Sequence, residues 1–362
     1  MEKNKSWFRK IFSKKNIFSV LVFLLVMSLI GVIYVTRTRV DKVIIEPGTA
    51  ESVDGKIEFN DVQTYDSNGE IRFLTVYVSS KKPSLAAYWV AKYLKHDSQI
   101  LPWDEVNGDF TEKESNELNE ALMEASQNSA SVVALNQIGC DVEQEGTGAI
   151  ISAVEKNSPA SKDLRKGDVI VLVDSKEVKT DEQAADSIVA HKPGDEIVVT
   201  VERGEDHQRK TFKATLQESP YREGAAYLGV GLVTRDQKFD FPVDFDIDPG
   251  AVSGPSAGLA FTLSIIDQLT AGDLTGGKNV AVTGEISLDG DVGPVGGVEQ
   301  KAITANRAQS NFMIVPKGEG KLARKTAGSM KVYEVSSVDD ALEVLKENGG
   351  DPLAQMQSCP TS

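Results

Sequence analysis

The sequence predicts a mixed α/β chain with one N-terminal membrane-spanning helix ahead of its globular part. Three observations lead there. Residues Ile17 to Val35 form 19 consecutive positions without a charge. Segments of strand period, such as Ile71 to Val78, alternate with segments of helix period, such as Asp181 to His191. Glycine- and proline-rich turns punctuate the chain throughout, and 362 residues suffice for two or three domains.

The apolar run, as a helix rising about 1.5 Å per residue, reaches across a bilayer core. It exceeds the apolar core of a cleaved signal peptide and leads into Thr36-Arg37-Thr38-Arg39 with no small-x-small site. Six Lys/Arg precede it, so residues 1–16 are expected in the cytosol, 17–36 in the membrane and the body outside. Charge supports the division. Residues 1–42 carry nine Lys/Arg against two acids, +7, which leaves -22 of the total -15 for the remainder. An acidic body excludes nucleic acid as the expected partner, since phosphate contact needs positive charge. The two cysteines, Cys140 and Cys359, lack metal-site spacing and read as unpaired thiols. No metal or other cofactor is expected.

Residues 37–124 form an anchor-proximal region. Lys56 to Phe59 and Glu70 to Val78 read as the strands of a hairpin around the turn Asp66-Ser67-Asn68-Gly69. Ser84 to Lys95 reads as a helix with Leu85, Tyr88, Trp89 and Tyr93 at packing spacing, and Glu112 to Ser126 as an acidic helix. A Gly-led strand follows from Gly146 to Val154. After it come a turn at Ser158-Pro159-Ala160, a strand to Val173, an amphipathic helix over 181–191 with Ala184, Ala185 and Ile188 inward, and strands at 197–201 and 210–216.

From Gly254 the chain becomes reactive in character. Gly254-Pro255-Ser256-Ala257-Gly258 opens a helix that is apolar on most sides to Leu269 and should be buried. Serine at a helix start caps the helix, yet the same place suits a nucleophile, because free N–H groups and the positive helix end stabilise a developing oxyanion. The stretch fits the G-x-S-x-G elbow of an α/β-hydrolase, but that fold needs a histidine downstream and none follows His207. A His…Asp…Ser order would have to draw on His96, His191 or His207, none of which has a motif context. Gly272 to Asn279 matches a phosphate-binding loop until Asn279 replaces the magnesium-holding hydroxyl, and it follows a helix instead of a strand, so nucleotide is not expected. A serine–lysine pair is the third reading. Lys301 lies on a helical face with Val298, Ala305 and Ala308. Such a lysine usually snorkels to solvent; enclosed, it loses basicity and can take a hydroxyl proton without histidine.

Two resemblances bear on these alternatives. Ser158-Pro159-Ala160, the L-x-x-G-D-x-I from Leu164 to Ile170 and Pro193-Gly194-Asp195 resemble a PDZ domain of the bacterial protease type, over about 125–217. The resemblance implies a peptide groove between the strand at 148–154 and the helix at 181–191. Gly146, Thr147, Gly148, Ala149, Ile150 and Ile188 would be the contacts. The G-P-S-A-G around Ser256, the T-G-E-I-S-L-D-G at 283–290 and the P-V-G-G-V-E-Q-K at 294–301 resemble the proteolytic domain of Lon proteases, of the ribosomal S5 domain 2-like fold, over 218–348. That likeness implies Ser256 as nucleophile, Lys301 as general base, Thr283 as a hydroxyl orienting Lys301, and Gly254, Pro255 and Ala257 as supporting residues.

The departures are a missing ATPase module, Ser253 where many relatives place an acid, and a short loop from Asp248 to Ser253. The whole chain resembles membrane-anchored PDZ–Lon-like peptidases of Gram-positive bacteria. This implies an outward-facing, ATP-independent endopeptidase acting on peptide or protein substrates, with ring-like homo-oligomers open. The competing expectation is a non-catalytic scaffold that binds protein termini. Residues 349–362 read as a loose tail.

Overall fold

The structure, a computed structural model, describes residues 14–108, 112–204, 206–220, 222, 224–351 and 359. The basic segment 1–13, Glu205 and most of the C-terminal tail lie outside the described residues. The chain forms two compact units, one of residues 1–139 and 243–360, the other of residues 140–242. The second unit interrupts the first in sequence.

The first unit is built on a six-stranded sheet in the order Lys331–Val335, Phe312–Pro316, Asn279–Val282, Glu70–Val78, Lys42–Ser52, Gln99–Pro102. The first four run parallel to one another and the last three pair antiparallel. Neighbouring residues of one strand face opposite sides of a sheet, and the two helices beside the site divide accordingly. Leu74 packs with Val298, Ala302 and Ala305 of the helix Val298–Arg307, in a cluster with Ala281, Met313 and Val315. Phe73 instead meets Phe261 of the helix Gly258–Leu269, ring centroids 5.9 Å apart. The latter helix is as buried as its sequence requires: eleven of its residues from Gly258 to Leu269 are buried, and the long helix Glu112–Gln137 packs along it.

Several expectations are corrected here. Ile57–Phe59 does not form a hairpin with Glu70–Val78; it pairs with Phe245–Ile247, from the far side of the inserted unit. Partner choice is a long-range matter that a local turn signal cannot encode. The helix predicted at 112–126 extends to Gln137 and belongs to the first unit, so the inserted unit begins at Cys140, not 125. Neither cysteine is free; Cys140 and Cys359 are both disulfide-bonded. Spacing along the chain carries no signal for such a bond.

The inserted unit is an antiparallel sheet ordered Gln208–Thr215, Glu196–Arg203, Val169–Val173, Ala149–Val154, Val230–Thr234, with the helix Asp181–Val189 packed on it. Ala184 and Ile188 point into its core with Ile151, Ile170 and Ile197, whereas Ala185 is exposed. Thr180 caps that helix by accepting the Gln183 N–H at 3.1 Å. The strand at 230–234 therefore belongs to this unit, which runs on to Pro242.

At the N-terminus a helix runs from Lys14 to Arg37, 24 residues. Most of its described side chains are exposed apolar groups, Leu21, Phe23, Leu25 and Leu29 among them. The side chains of 14–17 and 20 are outside those described, and among the described residues no helix is long and apolar enough to cross a membrane.

Asp267, near the end of the helix Gly258–Leu269, is 4% exposed. One of its oxygens, Oδ1, accepts both the Ser67 hydroxyl at 2.6 Å and the Leu274 N–H at 3.1 Å. Burial pushes its carboxyl up to about 6, with Asp54 and Asp273 adding repulsion. A carboxyl raised in the folded state favours folding only while protonated, so stability should fall as pH climbs from about 4 through about 6. Asp267→Asn keeps the accepting oxygen and removes the charge. Its melting temperature should rise above wild type at pH 7.5, by at most about 3 kcal/mol in stability, and match it near pH 4. Thermal melts at the two pH values measure this.

Candidate active site

Ser256, Thr283 and Lys301 come from three elements and meet at the end of the strand Asn279–Val282. Pro255–Ala257 is a 3-10 turn leading into the helix Gly258–Leu269. Gly254 before it takes φ 89°, a region that favours glycine, so the chain can swing into the turn. The turn is held from both sides. Asn119 O accepts the Gly254 N–H at 3.0 Å, and Ser126 Oγ donates to Pro255 O at 2.9 Å. The Ser256 carbonyl accepts Gly284 N–H and Thr283 Oγ1, both at 3.1 Å. A side chain at Gly258 has no room, since a Cβ there would lie 2.6 Å from Ser126 Oγ and 2.7 Å from Ile286 Cγ2.

Ser256 caps neither the turn nor the helix. Its hydroxyl Oγ instead accepts Lys301 Nζ at 2.8 Å, and Nζ also donates to Thr283 Oγ1 at 2.9 Å. Lys301 does not snorkel; it is 2% exposed among the largest buried side chains. Burial pulls its ammonium down to about 8, while the carboxylates of Glu319 and Glu285 oppose the fall. Those two carboxyls are themselves pushed up by burial and partly drawn back by Lys301. Neither was singled out from sequence. Glu285 follows the Thr283-Gly284 pair and could have been found there; Glu319, whose Oε1 accepts the Val295 N–H at 3.0 Å, carries no local signal.

Ser256 and Lys301 open onto a groove of about 800 Å³, lined also by Leu74 to Ser80, Val106, Leu118 and Ser253. The strand Glu70–Val78 pairs with Asn279–Val282 only as far as Phe73. Beyond it, Leu74 to Val78 pair on one side alone, with Lys42–Ser52. The rival sites fall away. His191 is held by Asp174 at 2.8 Å and by Ser187 O, and Lys278 of the phosphate-loop match points to the Asn348 carbonyl. Among the described residues no group of His, Cys, Asp or Glu is arranged to hold a metal.

The residues expected to line a peptide groove in the inserted unit do not do so. The Thr147 and Gly148 N–H groups already donate to Arg235 O and Lys179 O, both at 2.9 Å. Gly146 is wedged against Thr234 and Lys179, Ala149 is fully buried, and Ile188 is a core residue. Ala149–Val154, with Ile150 in it, has a strand on each side, so no peptide can add there. The edge of this sheet next to the helix Asp181–Val189 is Val230–Thr234, beyond the 125–217 expected for a PDZ domain.

Residues 136–216 match the family model of the PDZ domain, and residues 234–347 that of the Lon protease (S16) C-terminal proteolytic domain. The Lon protease of Chloroflexus aggregans is 35% identical over 129 residues, 34% of this chain and 15% of that protein. That of Azospirillum brasilense is 32% identical over 155 residues, 42% and 18%. The chain thus spans less than a fifth of the curated relatives it matches. The solved PDZ domain of an SdrC-like protein from Listeria monocytogenes aligns with 24% of this chain and 88% of its own, at 24% identity and a TM-score of 0.22. Residues 234–347 are thus similar to the proteolytic domain of Lon proteases, and residues 136–216 to PDZ domains.

A hydroxyl that merely fills space at 283 and one that orients the amine make different predictions. Thr283→Val keeps the volume and removes both of its hydrogen bonds; kcat should fall about 10- to 100-fold with little change in KM. Thr283→Ser should restore most of it, which steady-state kinetics on a peptide substrate measures.

Proposed function

We propose that the chain is an ATP-independent serine endopeptidase, anchored by its N-terminal helix with the body outside the cell. The observation that carries the catalytic reading is the 2.8 Å contact between a nearly unexposed Lys301 amine and the Ser256 hydroxyl. Neutral Lys301 takes the hydroxyl proton as Ser256 Oγ attacks the peptide carbonyl. The helix Gly258–Leu269 begins two residues after Ser256, so its positive end would stabilise the carbonyl oxygen that gains charge. Lys301 then gives the proton to the leaving amine, and later takes one from the water that cleaves the acyl-enzyme. Thr283 orients Lys301, while Gly254, Pro255 and Ala257 shape the turn.

The unpaired side of Leu74 to Val78 suits an extended peptide, which would add there as a strand beside Ser256. Substrates would be short, unfolded or loop-exposed. A second extended peptide would be held by the PDZ unit along the edge of Val230–Thr234. A lysine kept desolvated at a hydroxyl argues against the pure scaffold, which has no use for so costly a group.

Anchoring draws support from the uncharged run Ile17 to Val35 within a 24-residue helix. Orientation draws it from the six Lys/Arg before that run. Disulfide-bonded Cys140 and Cys359 suit an oxidising compartment. The test is cleavage of a flexible protein such as casein by the purified full chain with nucleotide removed by apyrase. Cleavage unchanged by added ATP is expected; strict dependence on ATP would refute the proposal.

A further inference from the structure

The helix Leu85–Tyr93 was expected to bury its aromatic residues, and it does not. Of its residues only Ala91 is buried, whereas Trp89 is 47%, Val90 41% and Tyr93 64% exposed, with Leu94 beyond it at 73%. Apolar spacing reveals that a helix has a greasy face, but not what covers that face. The same stretch departs from the rest of the body in charge. From Lys81 to Lys95 there are four lysines and no acid, in a body whose net charge is -22. Lys92 donates to the Tyr88 hydroxyl at 3.2 Å and stands over the Tyr93 ring, so aromatic and cationic groups share one surface.

This surface lies where the apolar helix Lys14–Arg37 ends. The Leu85 N–H donates to Thr38 O at 2.8 Å, the Val40 N–H to Pro83 O at 3.0 Å, and Arg39 Nη1 to Lys82 O at 3.3 Å. Exposed tryptophan and tyrosine with flanking lysines is the chemistry of the headgroup layer, where an aromatic ring meets lipid on one side and water on the other. Lys82 and Lys95 are paired with Asp41 and Glu46, and Lys92, on the aromatic face itself, supplies the positive charge that matches an anionic leaflet.

We infer that the helix Leu85–Tyr93 rests on the outer surface of the bilayer, with Trp89, Val90, Tyr93 and Leu94 among the headgroups and Lys92 beside the phosphates. This rests on the reading of Lys14–Arg37 as an anchor. It also bears on substrate. Tyr77 to Ser80 line the groove and lead straight into this helix, so one end of the cleft opens at the lipid surface. The favoured substrates are then segments presented just outside the membrane.

The full chain is reconstituted into phosphatidylglycerol–phosphatidylethanolamine vesicles, with or without acyl chains brominated near the headgroup. Wild type is compared with Trp89→Phe, an exposed and conservative change, and each sample is washed in alkaline carbonate. We expect the chain to stay in the pellet, wild-type tryptophan emission to be quenched by bromine, and Trp89→Phe to lose that quenchable part. Retention in the pellet with equal quenching in both proteins overturns the inference and spares the anchor. Release by carbonate overturns the anchor and the inference together. Trp89 shielded from both bromolipid and aqueous acrylamide would give the face to a second copy of the chain instead, and also overturns the inference.

Discussion

Ser256→Ala and Lys301→Met should each reduce kcat/KM on a peptide substrate by on the order of 10⁴-fold or more, to a similar floor. The two act as one unit, because the hydroxyl is a poor nucleophile until its proton has somewhere to go, and the only amine bonded to it among the described residues is Lys301. The double variant should therefore be no worse than either single one. Methionine at 301 retains most of the lysine's volume and removes the desolvated amine, so the folded state should be no less stable near neutral pH. Circular-dichroism melts establish that point, and a titration with a fluorophosphonate, which phosphonylates a serine oxygen and releases fluoride, separates the variants further. Ser256→Ala has no oxygen to label, whereas Lys301→Met retains the oxygen but should label slowly. Substantial cleavage by Lys301→Met would place the base elsewhere.

What could be read in the sequence divides along physical lines. Helix starts were legible where a side chain satisfies a backbone donor three residues on, as Ser84 and Thr180 do. The reactive stretch was legible because its glycines and hydroxyl are fixed locally: Gly254 by its backbone angle and Gly258 by the space left beside Ser126. The enclosure of Lys301 was not. The spacing of Val298, Ala305 and Ala308 fits a lysine that snorkels as well as one that is buried. Only the assembled sheet, with Thr283 delivered to the end of its strand Asn279–Val282, decides between them.

Strand partners were the least legible of all. Ile57–Phe59 finds Phe245–Ile247 across the inserted unit, and Val230–Thr234 closes the PDZ sheet from beyond the apparent end of that domain. Both pairings depend on segments far apart in sequence, for which neither turn residues nor alternation carries a signal. The same limit misplaced the peptide edge of the PDZ unit: Gly146 to Ile150 have the composition of a binding loop, but their N–H groups and strand edges are already taken.

Cleavage should climb steeply with pH and level off above the point where Lys301 loses its proton, about 8 in the free protein. The amine must be neutral to accept the Ser256 proton, so each unit below that value should cost about tenfold in kcat/KM. The sign follows from burial, which disfavours the ammonium and lowers the value from the ordinary lysine range; the carboxylates of Glu319 and Glu285 restrain the fall. Their removal should then move the curve further. Glu319→Gln and Glu285→Gln each take away a negative charge that favours the ammonium, so each should shift the midpoint to lower pH and raise activity on the acidic limb, with the plateau nearly unchanged. A general loss of fold would lower the plateau and leave the midpoint where it was, so the two effects are separable in one profile. The same group bears on stability with a fixed sign. Between about 8 and the ordinary lysine value near 10.5, the unfolded chain binds a proton that the folded chain has lost, so Lys301 favours folding increasingly as pH rises through that window. A pH–rate curve flat from mildly acidic to alkaline conditions would mean that no amine of this kind carries the proton.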